Sequence, residues 1–163
     1  MIYDGLIMSK IRYCLPVFGI EFLRLEETQA LSGHLQNLQK IQNNALRIIT
    51  GQKLKDHVRI SDMLDSTNTL SVNQTIAYSS IMEMWKAREF EIPELKLVLG
   101  KIQRSDDRTL RSDSSEKLQS CINEPFGNKV VQLWNSASER FKTTNLLVIA
   151  KREARKLVHT LPI

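Results

Sequence analysis

Apolar positions along this chain recur at helical spacing, and nowhere does an apolar–polar alternation persist as a strand would require. Residues 2–15 predict a helix that is apolar on most sides, through Ile2, Leu6, Ile7, Ile11, Tyr13, Cys14 and Leu15. Such a helix is ordinarily buried. Pro16 and Gly19 are expected to break it. Residues 30–50 predict a second helix. On its helical wheel Leu35, Leu38, Ile41, Ala45, Leu46, Ile48 and Ile49 share one broad face, the expected core face. Lys40 and Arg47 lie two turns apart on the other face. Gly51 is placed to end the helix, because glycine takes positive φ without strain.

A short helix is expected over 58–64. Ser71-Val72-Asn73-Gln74 then has the capping-box form, a hydroxyl followed three positions later by an amide. It should open a helix running to about residue 89, with Ala77, Tyr78, Ile81, Met84 and Trp85 as its core stripe. Pro93 ends or restarts that helix, and 94–99 reads as a short apolar turn or helix stopped by Gly100. Val130, Val131, Leu133 and Trp134 predict a helix of about three turns starting near Phe126. Asn145 is the expected cap of a last helix over 146–161. There Leu146, Leu147, Ile149, Ala150, Ala154, Leu157, Val158 and Leu161 cover one half of the wheel. Lys151, Arg152, Arg155, Lys156 and His159 cover the other, with Val148 and Glu153 as exceptions.

The expected fold is therefore all-α: about six helices in an irregular bundle, with no internal repeat. Residues 101–117 are polar, mixed in charge and poor in apolar anchors, and read as an exposed loop or linker. They divide a helical portion, 1–100, from a smaller C-terminal one, 118–163.

Composition adds limits. With 163 residues, 42% hydrophobic and 25% charged, the chain is neither disordered throughout nor collagen-like nor a disulfide scaffold. It is short for a polymerase, which needs a catalytic domain, a nucleotide site and a template channel. No apolar run approaches the roughly 20 residues of a membrane span. The start, Met1-Ile2-Tyr3-Asp4-Gly5, has neither the basic residues nor the cleavage site of a signal peptide. Cys14 and Cys121 have no metal-ligand spacing and are expected to be reduced and buried. The expected location is intracellular, in nucleus or cytoplasm, with no membrane partner.

The net charge of +5 is uneven. Residues 33–60 hold five basic groups and one acidic, as do residues 141–163, while 61–100 hold three basic and six acidic. Two basic blocks flanking an acidic middle favour a polyanionic partner more than an even spread would. The candidate nucleic-acid contacts are Lys151, Arg152, Arg155 and Lys156 on the last helix, and Lys40, Arg47, Lys53, Lys55 and Arg59 in the first block. A solvated face, with Lys and Arg favouring the helix C-terminus, explains the same last-helix pattern. A partner protein or an acidic membrane surface could use the same charges.

Catalytic chemistry finds little support. Metal-dependent nucleotidyl transfer needs converging carboxylates. Asp106-Asp107 lacks the aromatic residue of the polymerase signature, since Arg104 stands in its place, and reads as a solvated pair. His34, His57 and His159 have no partner at metal or triad spacing. Gly100 and Gly127 are isolated, so no phosphate loop is present. No catalytic residue, metal or cofactor is expected.

Several segments together resemble the thumb and downstream region of non-LTR retrotransposon reverse transcriptases of the jockey type. Residues 2–20, with Ser9-Lys10-Ile11-Arg12-Tyr13 and then Phe18-Gly19, resemble a helix near that thumb. Residues 35–51, LQNLQKIQNNALRIITG, resemble the family's LQ-x-x-QN-x-AL-R-x-I-x-G segment. Leu70-Ser71-Val72, Met84-Trp85-Lys86, Arg108-Thr109-Leu110-Arg111-Ser112, Phe126-Gly127, Leu133-Trp134-Asn135 and the terminal Lys156 to Ile163 follow in the family's order. The resemblance covers nearly the whole chain and implies a C-terminal fragment of an RNA-directed DNA polymerase. The fingers, the palm with its metal-binding aspartates and the endonuclease would lie upstream of Met1. It therefore implies no enzyme in this chain as it stands, and carries over no catalytic residue. The implied partners are RNA or DNA, the upstream polymerase domains, or another protein. The alternatives are a helical protein-interaction module and a transposon remnant without function.

Overall fold

The computed structural model describes Gly5 and residues 8–30, 32–90 and 125–163. Among these, seven α-helices occur: α1 Ser9–Phe18, α2 Gly33–Thr50, α3 Ile60–Ser66, α4 Val72–Glu89, α5 Pro125–Ser136, α6 Glu139–Thr143 and α7 Leu147–His159. Six of them span seven residues or more, and no strand occurs among the described residues. The chain is all-α, as its periodicity predicts. The segments 2–4, 6–7, 94–99 and 101–117, with Asp106-Asp107 and Cys121, lie outside the described residues, as do the side chains of Ile11 and Cys14.

The chain forms two compact units, Met1–Ile76 with Leu161–Ile163, and Ala77–Thr160. The division falls inside α4.

In the first unit, α1 runs through Pro16 to Phe18, and Gly19 closes it by donating its N–H to the Leu15 carbonyl at 2.8 Å. The expected break at Pro16 does not occur. A proline costs a helix one hydrogen bond and some crowding, but its φ is helical. Leu15, Ile20 and Leu23, all buried, hold the segment in place. Gly19 is required by close approach. A Cβ there would lie 2.6 Å from the Leu15 carbonyl oxygen and 3.0 Å from the Ile76 side chain. Nor is α1 buried all round: Tyr13 and Phe18 are exposed.

Local chemistry sets the ends of α2. Ser32 accepts from the Leu35 N–H at 3.4 Å, and Gly51 takes φ +69°. The Gln52 and Gly51 N–H groups donate back to the Arg47 and Ile48 carbonyls, the Schellman pattern.

The roll of α2 differs from its hydrophobic pattern. Leu35, Ala45 and Leu46 are buried as expected, and Met8, Ala45, Leu46 and Leu64 form a core cluster with Ile60 against it. Ile41, Ile48 and Ile49 are exposed instead, while Gln39 and Gln42 are buried. Hydrogen bonding explains this. Gln42 Nε2 donates to the Leu70 carbonyl at 2.7 Å, and Gln39 Oε1 accepts from the Val72 N–H at 3.0 Å. The two amides are joined by a Gln39 Nε2 to Gln42 Oε1 bond of 2.9 Å. Buried amides left unpaired are costly. Here each meets partners, and those partners are the Leu70 carbonyl just before α4 and the first N–H of α4.

The predicted capping box is present. Ser71 Oγ accepts from the Gln74 N–H at 3.2 Å, and Gln74 Oε1 accepts from the Ser71 N–H at 3.1 Å. Asn73 extends the amide network. Its Oδ1 accepts from the Arg24 N–H at 2.9 Å, and its Nδ2 donates to the Arg24 and Pro162 carbonyls at 2.8 and 3.0 Å.

In the second unit, the predicted stripe of α4 is inward: Ala77, Ile81, Met84 and Trp85 are buried and Tyr78 is half-buried. Trp85 Nε1 donates to the Thr144 carbonyl at 2.9 Å. On α5, Val130, Val131, Leu133 and Trp134 are buried, and Trp134 meets Phe141 edge-on with centroids 5.8 Å apart. Ser138 caps α6, which packs on α7. Asn145 does not cap α7. Leu146 occupies the cap position, and its N–H donates to Thr144 Oγ1 at 3.2 Å. The inward stripe of α7 is narrower than predicted. Ala150, Ala154 and Val158 are buried, whereas Leu146 and Leu147 are exposed; Val148, set on the basic half of the wheel, is exposed as well.

Candidate nucleic-acid interface

Each unit holds its own group of candidate cations. In the first unit, Lys40 lies exposed on α2 and Arg47 lies half-buried near its end. The chain then leaves α2 at Gly51 and makes a single 3-10 turn, Leu54–Asp56, before α3. Lys53, Lys55 and Arg59 are all exposed on this connection. Arg47 Nη1 reaches the Lys53 carbonyl at 3.5 Å, at the outer limit of a hydrogen bond, which links the helix end to the loop. The structure thus brings Arg47 and the 53–59 loop together and leaves Lys40 farther up the same helix.

The loop holds one carboxylate, and it is occupied by its own backbone. Asp56 Oδ2 accepts from the Lys53 N–H at 2.7 Å. Loop geometry also exposes two residues outside the predicted set. Leu54 is exposed at the tip, and His57 takes a left-handed φ of +48°. Hydropathy alone offers no signal for an exposed Leu54. Its place between Lys53 and Lys55 is the only one.

In the second unit, Lys151, Arg152 and Lys156 are exposed on α7 and Arg155 is half-buried. Their field is reduced by Glu153, which the helical wheel sets on the apolar side. Glu153 is buried, yet Oε1 pairs with Lys156 Nζ at 2.9 Å and lies 3.7 Å from Arg152 Nε. The Lys156 hydrogen bond holds the Glu153 carboxyl below its ordinary pKa. Burial acts the other way, and the charges of Lys156, Arg140 and Arg152 add to the lowering. The helical wheel marks Glu153 only as an exception to the apolar half and not as a counter-charge, although its three-residue spacing from Lys156 is that of a helical ion pair.

Lys142 is the other basic residue whose setting differs from its charge pattern. Counted with the C-terminal basic block, it is buried, donating to the Asn135 carbonyl at 3.4 Å and pairing with Glu139 at 3.5 Å.

His34 and His159 are exposed, and His34 lies near Phe22, with ring centroids 6.2 Å apart. Among the described residues no group of three or more His, Cys, Asp or Glu could hold a metal ion, and no helix is long and apolar enough to cross a membrane. Comparison with protein-family models, with curated proteins and with solved structures gives no match.

Proposed function

We propose that this chain binds RNA or DNA through its backbone phosphates, as a C-terminal piece of a reverse transcriptase-like protein that has no catalytic centre of its own. The observation that carries the reading is the loop between α2 and α3. Lys53, Lys55 and Arg59 stand exposed there, Arg47 sits at its base, and the only carboxylate is turned onto the Lys53 N–H. Such a loop offers phosphates three exposed cations against one carboxylate, whose hydrogen bond to the Lys53 N–H holds it to the backbone. The α7 face is a weaker second contact, because Glu153 partly neutralises Arg152 and Lys156. Phosphate contacts position a nucleic acid without reading sequence, so little sequence preference is expected.

The test is charge reversal, one group at a time, read by binding to a labelled duplex and a labelled single strand. Lys53→Glu with Lys55→Glu and Arg59→Glu should weaken binding more than Arg152→Glu with Arg155→Glu and Lys156→Glu. Equal, undiminished binding in both triple variants contradicts the proposal. The proposed location, nucleus or cytoplasm, follows from the partner.

A further inference from the structure

The outward face of α2 has a regularity that phosphate binding does not use. His34, Asn37, Ile41, Asn44 and Ile48 are all exposed, at alternating spacings of three and four residues. The spacing is that of a heptad, with His34, Ile41 and Ile48 at one core position and the polar Asn37 and Asn44 at the other, so the two isoleucines are its apolar residues. Ile48 is 82% exposed and Ile41 53%. The arrangement is fixed from inside, since the bonds of Gln39 and Gln42 to Val72 and Leu70 hold α2 at this rotation. The helix thus buries two amides and presents isoleucines to solvent, the reverse of what burial alone favours. Two exposed isoleucines two turns apart on one helix face are an apolar surface on which a partner can pack.

Charge selects the occupant. Lys40 and Arg47 each immediately precede an isoleucine of the seam and line the same edge. A second copy is disfavoured. Antiparallel pairing would set this basic edge against itself, and parallel pairing would set it against Leu38 and Ala45. We propose that this α2 face docks an amphipathic helix of a partner protein that carries acidic side chains along the edge of its apolar stripe.

The probe is a labelled synthetic helix of about three heptads, with leucine at the seam except for one asparagine, and glutamate on both edges. The glutamates keep it from pairing with itself. The full chain should bind it saturably. Ile41→Asp with Ile48→Asp should weaken binding at least about tenfold, as should Lys40→Glu with Arg47→Glu. The charge-reversed chain should recover binding to a lysine-edged version of the probe. These side chains lie outside the amide network, and Arg47 makes only the 3.5 Å bond to the Lys53 carbonyl, so the melting temperature should fall by no more than a few degrees. If the aspartate variant does not fold, the charge swap alone decides. Equal affinity for glutamate- and lysine-edged probes overturns the proposal. So does self-association of the chain that disappears with the two isoleucines, or a need for those isoleucines in binding RNA or anionic vesicles without binding of the probe.

Discussion

The Gln42 side-chain N–H donates to the carbonyl of Leu70 at 2.7 Å, across 28 residues of sequence. Gln42 is fully buried, and beside it Gln39 accepts from the Val72 N–H. Two amides on α2 therefore hold the start of α4. Replacing Gln42 by Leu leaves the Leu70 carbonyl without this donor. The expected loss is about 1–3 kcal/mol, read from urea unfolding. Lys40→Ala, at an exposed position of the same helix, should change stability by less than about 0.5 kcal/mol. A Gln42→Leu variant as stable as the parent would show that the amide network does not hold α2 to α4.

The ends of α2 and α4 depend on single residues. Gly51→Ala imposes a Cβ at φ +69° and should destabilise by about 1 kcal/mol. Ser71→Ala removes one arm of the capping box and should cost about 0.5–2 kcal/mol. Thermal melts of the two variants check both values. Their combined cost should equal the sum of the separate costs, because the two caps share no hydrogen-bond partner.

These ends are legible from sequence because caps are local: Gly51 and the Ser71 to Gln74 spacing each act within a few residues. The rotation of α2 is not. Its hydrophobic wheel points Ile41, Ile48 and Ile49 inward, but the partners that draw Gln39 and Gln42 inside lie some 30 residues along the chain. Pro16 misleads in the same way, because tertiary burial of Leu15 and Ile20 outweighs one missing helical bond. The candidate cations are legible as charge, and their exposure follows for Lys53, Lys55 and Arg59. The counter-charge is not. Glu153 lies on the apolar side of the wheel, and only the fold shows it turned back to Lys156.

Glu153 makes a pH prediction with a definite sign. Its carboxyl titrates lower in the folded chain than in the unfolded one, because the folded chain supplies the Lys156 hydrogen bond. Its stabilisation is therefore complete above the unfolded value, about 4.3, and fades as pH falls through the lower folded value. Glu153→Gln should be less stable than the parent at neutral pH, and the gap should close in acid. A gap that persists undiminished at about pH 2 contradicts this.

The same substitution bears on binding. Glu153→Gln relieves Arg152 and Lys156 of their counter-charge. Affinity for a labelled duplex should rise, by about two- to tenfold at low salt, and the gain should shrink as salt is added. Unchanged affinity would place the α7 face outside the interface.

Phosphate binding by this chain is tested most directly by its salt dependence, measured as Kd of the full chain for one labelled duplex from about 50 to 200 mM monovalent salt. Phosphate contact through the α2–α3 loop predicts a steep linear rise of log Kd with log salt. Reversing Lys53, Lys55 and Arg59 to glutamate should flatten that slope by about one unit for each phosphate no longer neutralised. A Kd that does not move with salt, or a slope unchanged in the triple variant, would contradict it.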